Sequence, residues 1–145
     1  MITRVRATVA AMGADADDLR ALAQAYAAAV DSRDPEALLA LFTDDAVVTL
    51  PAELAGRYLP HELHGAQIAL LIDGVRHFDS TRHVIDGNRC AVEGDAATGR
   101  TLCTAHHLRG ERDLVLTVRY DDAYSRVDGC WRFRRRDLSA TPAGT

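Results

Sequence analysis

Asp31 and His83 are residues of the right types to share one task, proton transfer. A carboxylate that holds one imidazole nitrogen leaves the other free to act as a general base. Asp31 ends a helical pattern, where the helix dipole disfavours a negative charge unless a donor compensates it. The plain alternative is a solvated turn residue in Asp31-Ser32-Arg33-Asp34. His83 lies in a strand-like stretch in which Thr81, His83 and Ile85 share one face and Arg82, Val84 and Asp86 the other. The uncharged set is the better inward face. A hydrogen-bonded core histidine is the alternative for His83.

A second strand-like row gives two further candidates. Ala97, Gly99, Thr101, Cys103, Ala105 and His107 alternate with Arg100, Leu102, Thr104, His106 and Leu108. The first row is small and uncharged and ends in histidine, so Cys103 and Ala105 leave room for a ligand beside His107. His106 falls outside on this reading, and one bulge would exchange the two. Tyr26 sits on the apolar stripe of the first helix, with core packing and hydrogen bonding to a substrate oxygen both open to it.

Elements that would position these residues can be read from periodicity. Leu19, Leu22, Tyr26 and Val30 predict a helix over 15–31, with Asp15, Asp17 and Asp18 at its N-terminal end. Asp34-Pro35-Glu36 predicts the cap and first turn of a second helix, carrying Leu38, Leu39, Leu41 and Phe42 and stopping near 43–45. Residues 46–50 read as a strand, 51–64 as a loop able to cover a pocket, and 65–78 as a third helix. Four strands follow near 81–93, 96–108, 114–127 and 130–138, with hairpins at Glu93-Gly94-Asp95 and Asp128-Gly129 and a bulge at Asp86-Gly87-Asn88. Helices first and an antiparallel meander after them predict an α+β domain over 15–138, with an N-terminal extension (1–14) and a C-terminal tail (139–145).

Composition narrows the chemistry. The chain has 145 residues, 48% hydrophobic and 26% charged, with net charge −4. That charge gives no general reason to bind nucleic acid or an anionic membrane. All 17 basic residues are arginine, so Schiff-base, pyridoxal phosphate and Walker-type lysine chemistry are excluded. Cys90, Cys103 and Cys130 are odd in number and far apart, and are expected to be small reduced core residues. His61-Glu62-Leu63-His64 lacks the spacing that puts two histidines on one helical face, and no other spacing suggests a metal site. Alternation should split Arg132, Arg134, Arg135 and Arg136 between two faces, as a solvated surface or oligomer contact. The first thirteen residues hold no apolar run that suggests a signal peptide or span, so a cytoplasmic, cofactor-free protein with no membrane or nucleic-acid partner is expected.

The order of motifs resembles the SnoaL-like group of the nuclear-transport-factor-2-like superfamily. It rests on Tyr26 to Asp34, Leu41-Phe42-Thr43-Asp44-Asp45-Ala46, Gly65-Ala66, Thr81-Arg82-His83, Gly94-Asp95-Ala96, Tyr124-Ser125-Arg126 and Gly129 to Phe133. The resemblance implies a cone-shaped, curved antiparallel sheet wrapped by three N-terminal helices around a central pocket. Asp31 and His83 match the acid–histidine pair of scytalone dehydratase, bile-acid dehydratase and hexachlorocyclohexane dehydrochlorinase, all of which catalyse eliminations. Tyr26 is similar to a bile-acid dehydratase tyrosine, His107 to a second scytalone dehydratase histidine, and Arg132 to a basic residue of the dehydrochlorinase. The departures are Leu50 where ketosteroid isomerases carry their base, Val30 where scytalone dehydratase has a tyrosine, and Ala105 near a bile-acid dehydratase acid.

The implied activity is a cofactor-independent lyase acting on a small apolar cyclic or polyketide-like molecule. Asp31, His83, His107 and Tyr26 would be catalytic; Arg132, Cys103, Ala105 and Leu50 would contact substrate. An isomerase, cyclase or epoxide hydrolase would use the same pocket, and a ligand-binding or structural subunit is the non-catalytic alternative. Members of this fold commonly pair through the sheet, so a homo-oligomer, dimer or trimer, is expected.

Overall fold

The computed structural model describes residues 9–55 and 59–143. The ends of the expected N-terminal extension and C-terminal tail, and residues 56–58 of the expected loop, lie outside the described residues. Helix α1 (Gly13–Asp31) buries Leu19, Leu22, Ala23, Tyr26, Ala27, Ala29 and Val30 along one stripe. Its last turn closes on Arg33, which takes φ 57°, a left-handed position usual for glycine at a helix end. Asp34 then caps α2 (Pro35–Leu39), accepting a hydrogen bond from the Ala37 amide at 3.1 Å, with proline in the first turn.

Helix α2 is shorter than the leucine pattern predicts, because the following residues pair with distant chain. Strand β2 (Phe42–Thr49) starts at Phe42, which lies opposite Phe133 of the last strand, with ring centroids 5.2 Å apart. Part of the expected loop is also strand: β3 (Glu62–His64) pairs with Val47, Val48 and Thr49. The third helix is a 3-10 turn (Gly65–Ala69) running into α3 (Leu70–Val75).

The meander consists of β4 (Ser80–Glu93), β5 (Ala96–Arg109), β6 (Arg112–Val127) and β7 (Cys130–Pro142). With a short β1 (Val9–Ala10) on the β4 edge, the curved sheet has the order β1-β4-β5-β6-β7-β2-β3. Every pairing is antiparallel except that of β2 with β7. The expected tail is largely the end of β7. At the Asp128-Gly129 hairpin both residues take positive φ, as a tight two-residue turn requires.

Two register shifts decide which side chains face inward. The bulge between Ile85 and Gly87 lets Thr81, His83 and Ile85 share the inner face with Asn88, Cys90 and Val92. On β7 the shift opposite Ala123/Tyr124 turns Arg134 and Arg135 outward together, so that Phe133 and Arg136 both face the core.

Candidate active site

Asp31 is compensated on three sides. The Thr81 hydroxyl donates to Oδ1 at 2.9 Å, the His83 amide to Oδ2 at 2.8 Å, and His83 Nδ1 to Oδ1 at 2.7 Å. Burial pushes the carboxyl up, but the hydrogen bonds from His83 and Thr81 and the His83 charge outweigh it. The net result lies below the ordinary aspartate value of 3.8. With the Nδ1 hydrogen on the carboxylate, the lone pair of His83 is at Nε2. The His83 side chain is 9% exposed and lines a cavity of about 100 Å³.

That cavity is walled mainly by apolar residues of every layer: Val30 from α1, Leu50, Leu54 and Leu59 from the 50–61 segment, Leu71 and Val75 from α3, then Phe78, and Ala105, Leu116, Val118 and Leu138 from the sheet. Among the described residues its polar side chains are His83, His107, Tyr26 and Tyr120. His107 faces inward, whereas His106 lies on the outer face with Nδ1 2.8 Å from Asp113. The His107 ring is inclined 77° to that of His83, edge to face, with centroids 5.9 Å apart, and packs on Phe78 at 5.0 Å. His107 Nδ1 lies 3.0 Å from the Leu114 carbonyl, which can only accept, so Nδ1 carries the hydrogen. Burial, helped by the His83 charge, holds this imidazole below its ordinary value and favours the neutral ring.

Tyr26 also lines the cavity. Burial raises its hydroxyl to about 12 against the lowering charge of Arg136, so it is a hydrogen-bond donor and not a base. Tyr120, which the sequence reading passed over, lies beside it with centroids 5.6 Å apart and is also held protonated by burial. The alternation of Leu116, Val118 and Tyr120 on an inward row was the available signal.

Arg136 was missed for a different reason. Its inward turn depends on the β7 bulge, which alternation within the arginine run does not show. Its Nε and Nη2 contact the two oxygens of Asp122 at 2.7 and 3.2 Å, with both side chains fully buried. The guanidinium lies 3.8, 4.2 and 4.4 Å from the ring centroids of Tyr120, Phe133 and Tyr26. Thr101 and Tyr124 hydroxyls donate to the same carboxylate at 2.9 and 3.0 Å. This network supports the cavity tyrosines from behind.

Two of the residues expected to contact substrate are not among the cavity-lining residues. Cys103 faces inward but is fully buried away from the cavity wall, within the core, while Ala105 takes the wall position. Arg132 pairs with Ser125 next to the 128–129 hairpin and does not line the cavity. In that region Trp131 Nε1 and Arg126 both donate to Asp15 at the start of α1. Leu50 and Ala105 do line the cavity. The cysteines are free, but Cys130 is exposed and Cys90 half-buried, so only Cys103 is a fully buried core residue. Among the described residues no group of three or more histidine, cysteine, aspartate or glutamate side chains is placed to hold a metal ion. Among the same residues no helix is long and apolar enough to cross a membrane.

Arg33 secures the α3 wall. Its Nη2 donates to the carbonyls of Val75 at 3.1 Å and Phe78 at 2.8 Å, neutralising the end of α3 two residues from Asp31.

N-terminal helices packed on a curved, largely antiparallel sheet are the nuclear-transport-factor-2-like fold. Several solved structures share this fold. A scytalone-dehydratase-like protein of Novosphingobium aromaticivorans is 24% identical, with a TM-score of 0.72 over 89% of this chain and 93% of its own. An NTF2-like protein with a cystatin-like fold from the same organism is 25% identical, with a TM-score of 0.71 over 89% and 82%. LinA is 25% identical, with a TM-score of 0.70 over 89% and 88%. No curated protein matches the chain at the sequence level. The SnoaL-like domain pattern matches residues 12–137, and the chain belongs to that family.

Proposed function

We propose that the protein is a cofactor-independent lyase that eliminates water, or a comparable leaving group, from a small apolar cyclic substrate. The observation that carries this reading is the 2.7 Å contact of His83 Nδ1 with Asp31 at the wall of an apolar cavity. Asp31 fixes the tautomer, and His83 Nε2 takes the proton from a carbon next to a carbonyl or to the carbon bearing the leaving group. The C–H electrons form the new double bond as the bond to the leaving group breaks, and the proton on His83 is returned to the departing oxygen as water forms. Tyr26 and Tyr120 donate to the oxyanion that develops when the substrate carries a carbonyl. Leu50 and Ala105 supply apolar contact.

The similarity to dehydratase-like proteins supports elimination over the other chemistries open to this pocket. A mass-resolved screen of ketone, hydroxy and halide compounds tests it. Loss of water or hydrogen halide supports the lyase; an unchanged mass would overturn it in favour of an isomerase or cyclase, and gain of water in favour of a hydrolase. His83→Ala and Asp31→Asn should each abolish the turnover found, with the circular dichroism of the fold intact. Full activity in either folded variant defeats the dyad. We also propose a cytoplasmic homo-oligomer; a monomer by light scattering refutes the assembly, and export to another compartment refutes the location.

A further inference from the structure

The polar groups around the cavity are not equivalent, and their difference selects among substrates. Asp31 takes the Nδ1 hydrogen of His83, and the Leu114 carbonyl takes that of His107. In its neutral form each ring therefore has its lone pair at Nε2, and among the described residues no hydrogen bond donates to that lone pair in either ring. His83 Nε2 is reserved for carbon-bound hydrogen by the reading above, on which this inference rests. His107 Nε2 remains as an acceptor, and an acceptor is satisfied only by a ligand that brings an O–H or N–H. A carbon-bound halide brings neither.

Size is the second constraint. A cavity of ~150 Å³ suffices for benzene, and this one holds about 100 Å³. A single ring is nearer to this volume than a fused polycycle is. Gly74 stands where any side chain would intrude, since a Cβ there would lie 2.7 Å from Leu59 Cδ1.

We propose that the cavity binds a neutral single-ring compound carrying a hydroxyl group, and that this hydroxyl donates to Nε2 of His107. The protein is thereby a dehydratase of small hydroxylated rings and not a dehydrohalogenase or an enzyme of polycyclic compounds. The ring lies between the leucine wall and the tyrosine pair, and the hydroxyl is held beside His83 by the neighbouring imidazole.

Binding tests this without turnover. Phenol and chlorobenzene have similar size, and only phenol can donate. By calorimetry or ligand-observed NMR, phenol should bind roughly 3- to 10-fold tighter, the worth of one neutral hydrogen bond. In wild-type protein labelled at histidine nitrogen, phenol should shift the Nε2 resonance of His107 and chlorobenzene should not. His107→Phe keeps the ring packed against Phe78 and should erase the preference for phenol. Equal binding of the two ligands overturns the proposal, as does a phenol-induced shift confined to His83. Naphthol binding as tightly as phenol overturns the size limit. The labelled wild-type experiment decides the matter even where the variant fails to fold. Normal turnover by Asp31→Asn would defeat the dyad alone, because the phenol preference is measured in a separate, non-catalytic assay.

Discussion

Two carboxylates on the concave side of the sheet are built alike and have different consequences. Asp31 and Asp122 each accept from a threonine hydroxyl, Thr81 and Thr101, and each contacts a side-chain nitrogen at 2.7 Å. Asp122 meets Arg136, a cation with no lone pair to offer, and aromatic rings surround the pair with both side chains at 0% exposure. Asp31 meets a histidine whose second nitrogen remains available beside a cavity. The first arrangement uses charge to fix the core, and the second uses it to fix a tautomer. A buried ion pair is therefore weak evidence of a site, whereas a carboxylate holding a cavity histidine is strong evidence.

The largest effect should fall on turnover at the Asp31 end. His83→Ala is expected to reduce kcat/KM by about 10²–10⁴-fold, the usual worth of positioned proton transfer. Its unfolding midpoint in urea should fall less than that of Arg136→Ala, because the Asp31 carboxylate keeps the Thr81 hydroxyl and the residue-83 amide as donors. At the Asp122 end stability should fall instead. Arg136→Ala leaves a buried aspartate unpaired, which costs about 3–5 kcal/mol. Replacing both partners, Arg136→Met with Asp122→Leu, should recover most of that loss in a urea titration. Recovery of stability with lost turnover would show that the arginine charge also reaches the cavity through Tyr26 and Tyr120. Loss of stability in His83→Ala equal to that in Arg136→Ala would erase the distinction between the two carboxylates.

What the sequence made legible follows the same divide. Local chemistry was readable: the Asp34 cap, the bulge at Asp86-Gly87-Asn88, the Asp128-Gly129 hairpin and the alternation that turns His107 inward. Pairing with distant chain was not. Phe42 leaves its helical pattern because Phe133 offers it a parallel strand, and Glu62–His64 becomes strand only against Val47–Thr49. Arg136 is the sharpest case. Within 132–136 every position is arginine except Phe133, so no polarity contrast marks the two consecutive outward residues. The Asp31–His83 contact needs the end of α1 to meet β4, and only the resemblance to a known family suggested that meeting.

A smaller effect separates the two arginines that serve these regions. Arg33 reaches the carbonyls of Val75 and Phe78 from a partly buried position, and its backbone carries the cost of a left-handed φ. Arg33→Met should lower stability by about 1–2 kcal/mol, less than Arg136→Ala, because water can replace part of what the guanidinium gives. Its signature should be weaker phenol binding, since the Phe78 ring packs on His107. Unchanged phenol affinity in a destabilised Arg33→Met would make the clamp purely structural.

The smallest effect is the pH dependence of stability contributed by Asp31. Its carboxyl ionises below the ordinary 3.8 in the folded chain, because the hydrogen bonds of His83 and Thr81 outweigh the cost of burial. A folded value below the unfolded one means that the unfolded chain binds more protons as the solution is acidified. The stabilisation is complete above the unfolded value and is lost as pH falls through the folded one. Asp31→Asn, which keeps the side-chain shape, should therefore lose less stability than wild type as pH drops below about 4. Asp137, lowered by Thr49 and Arg135 despite its own burial cost, contributes in the same direction and is the natural control. Urea midpoints measured down the acid limb for Asp31→Asn and Asp137→Asn separate the two. An acid limb in Asp31→Asn identical to wild type would mean that the carboxylate gains nothing from His83 in the folded state, leaving the imidazole unheld.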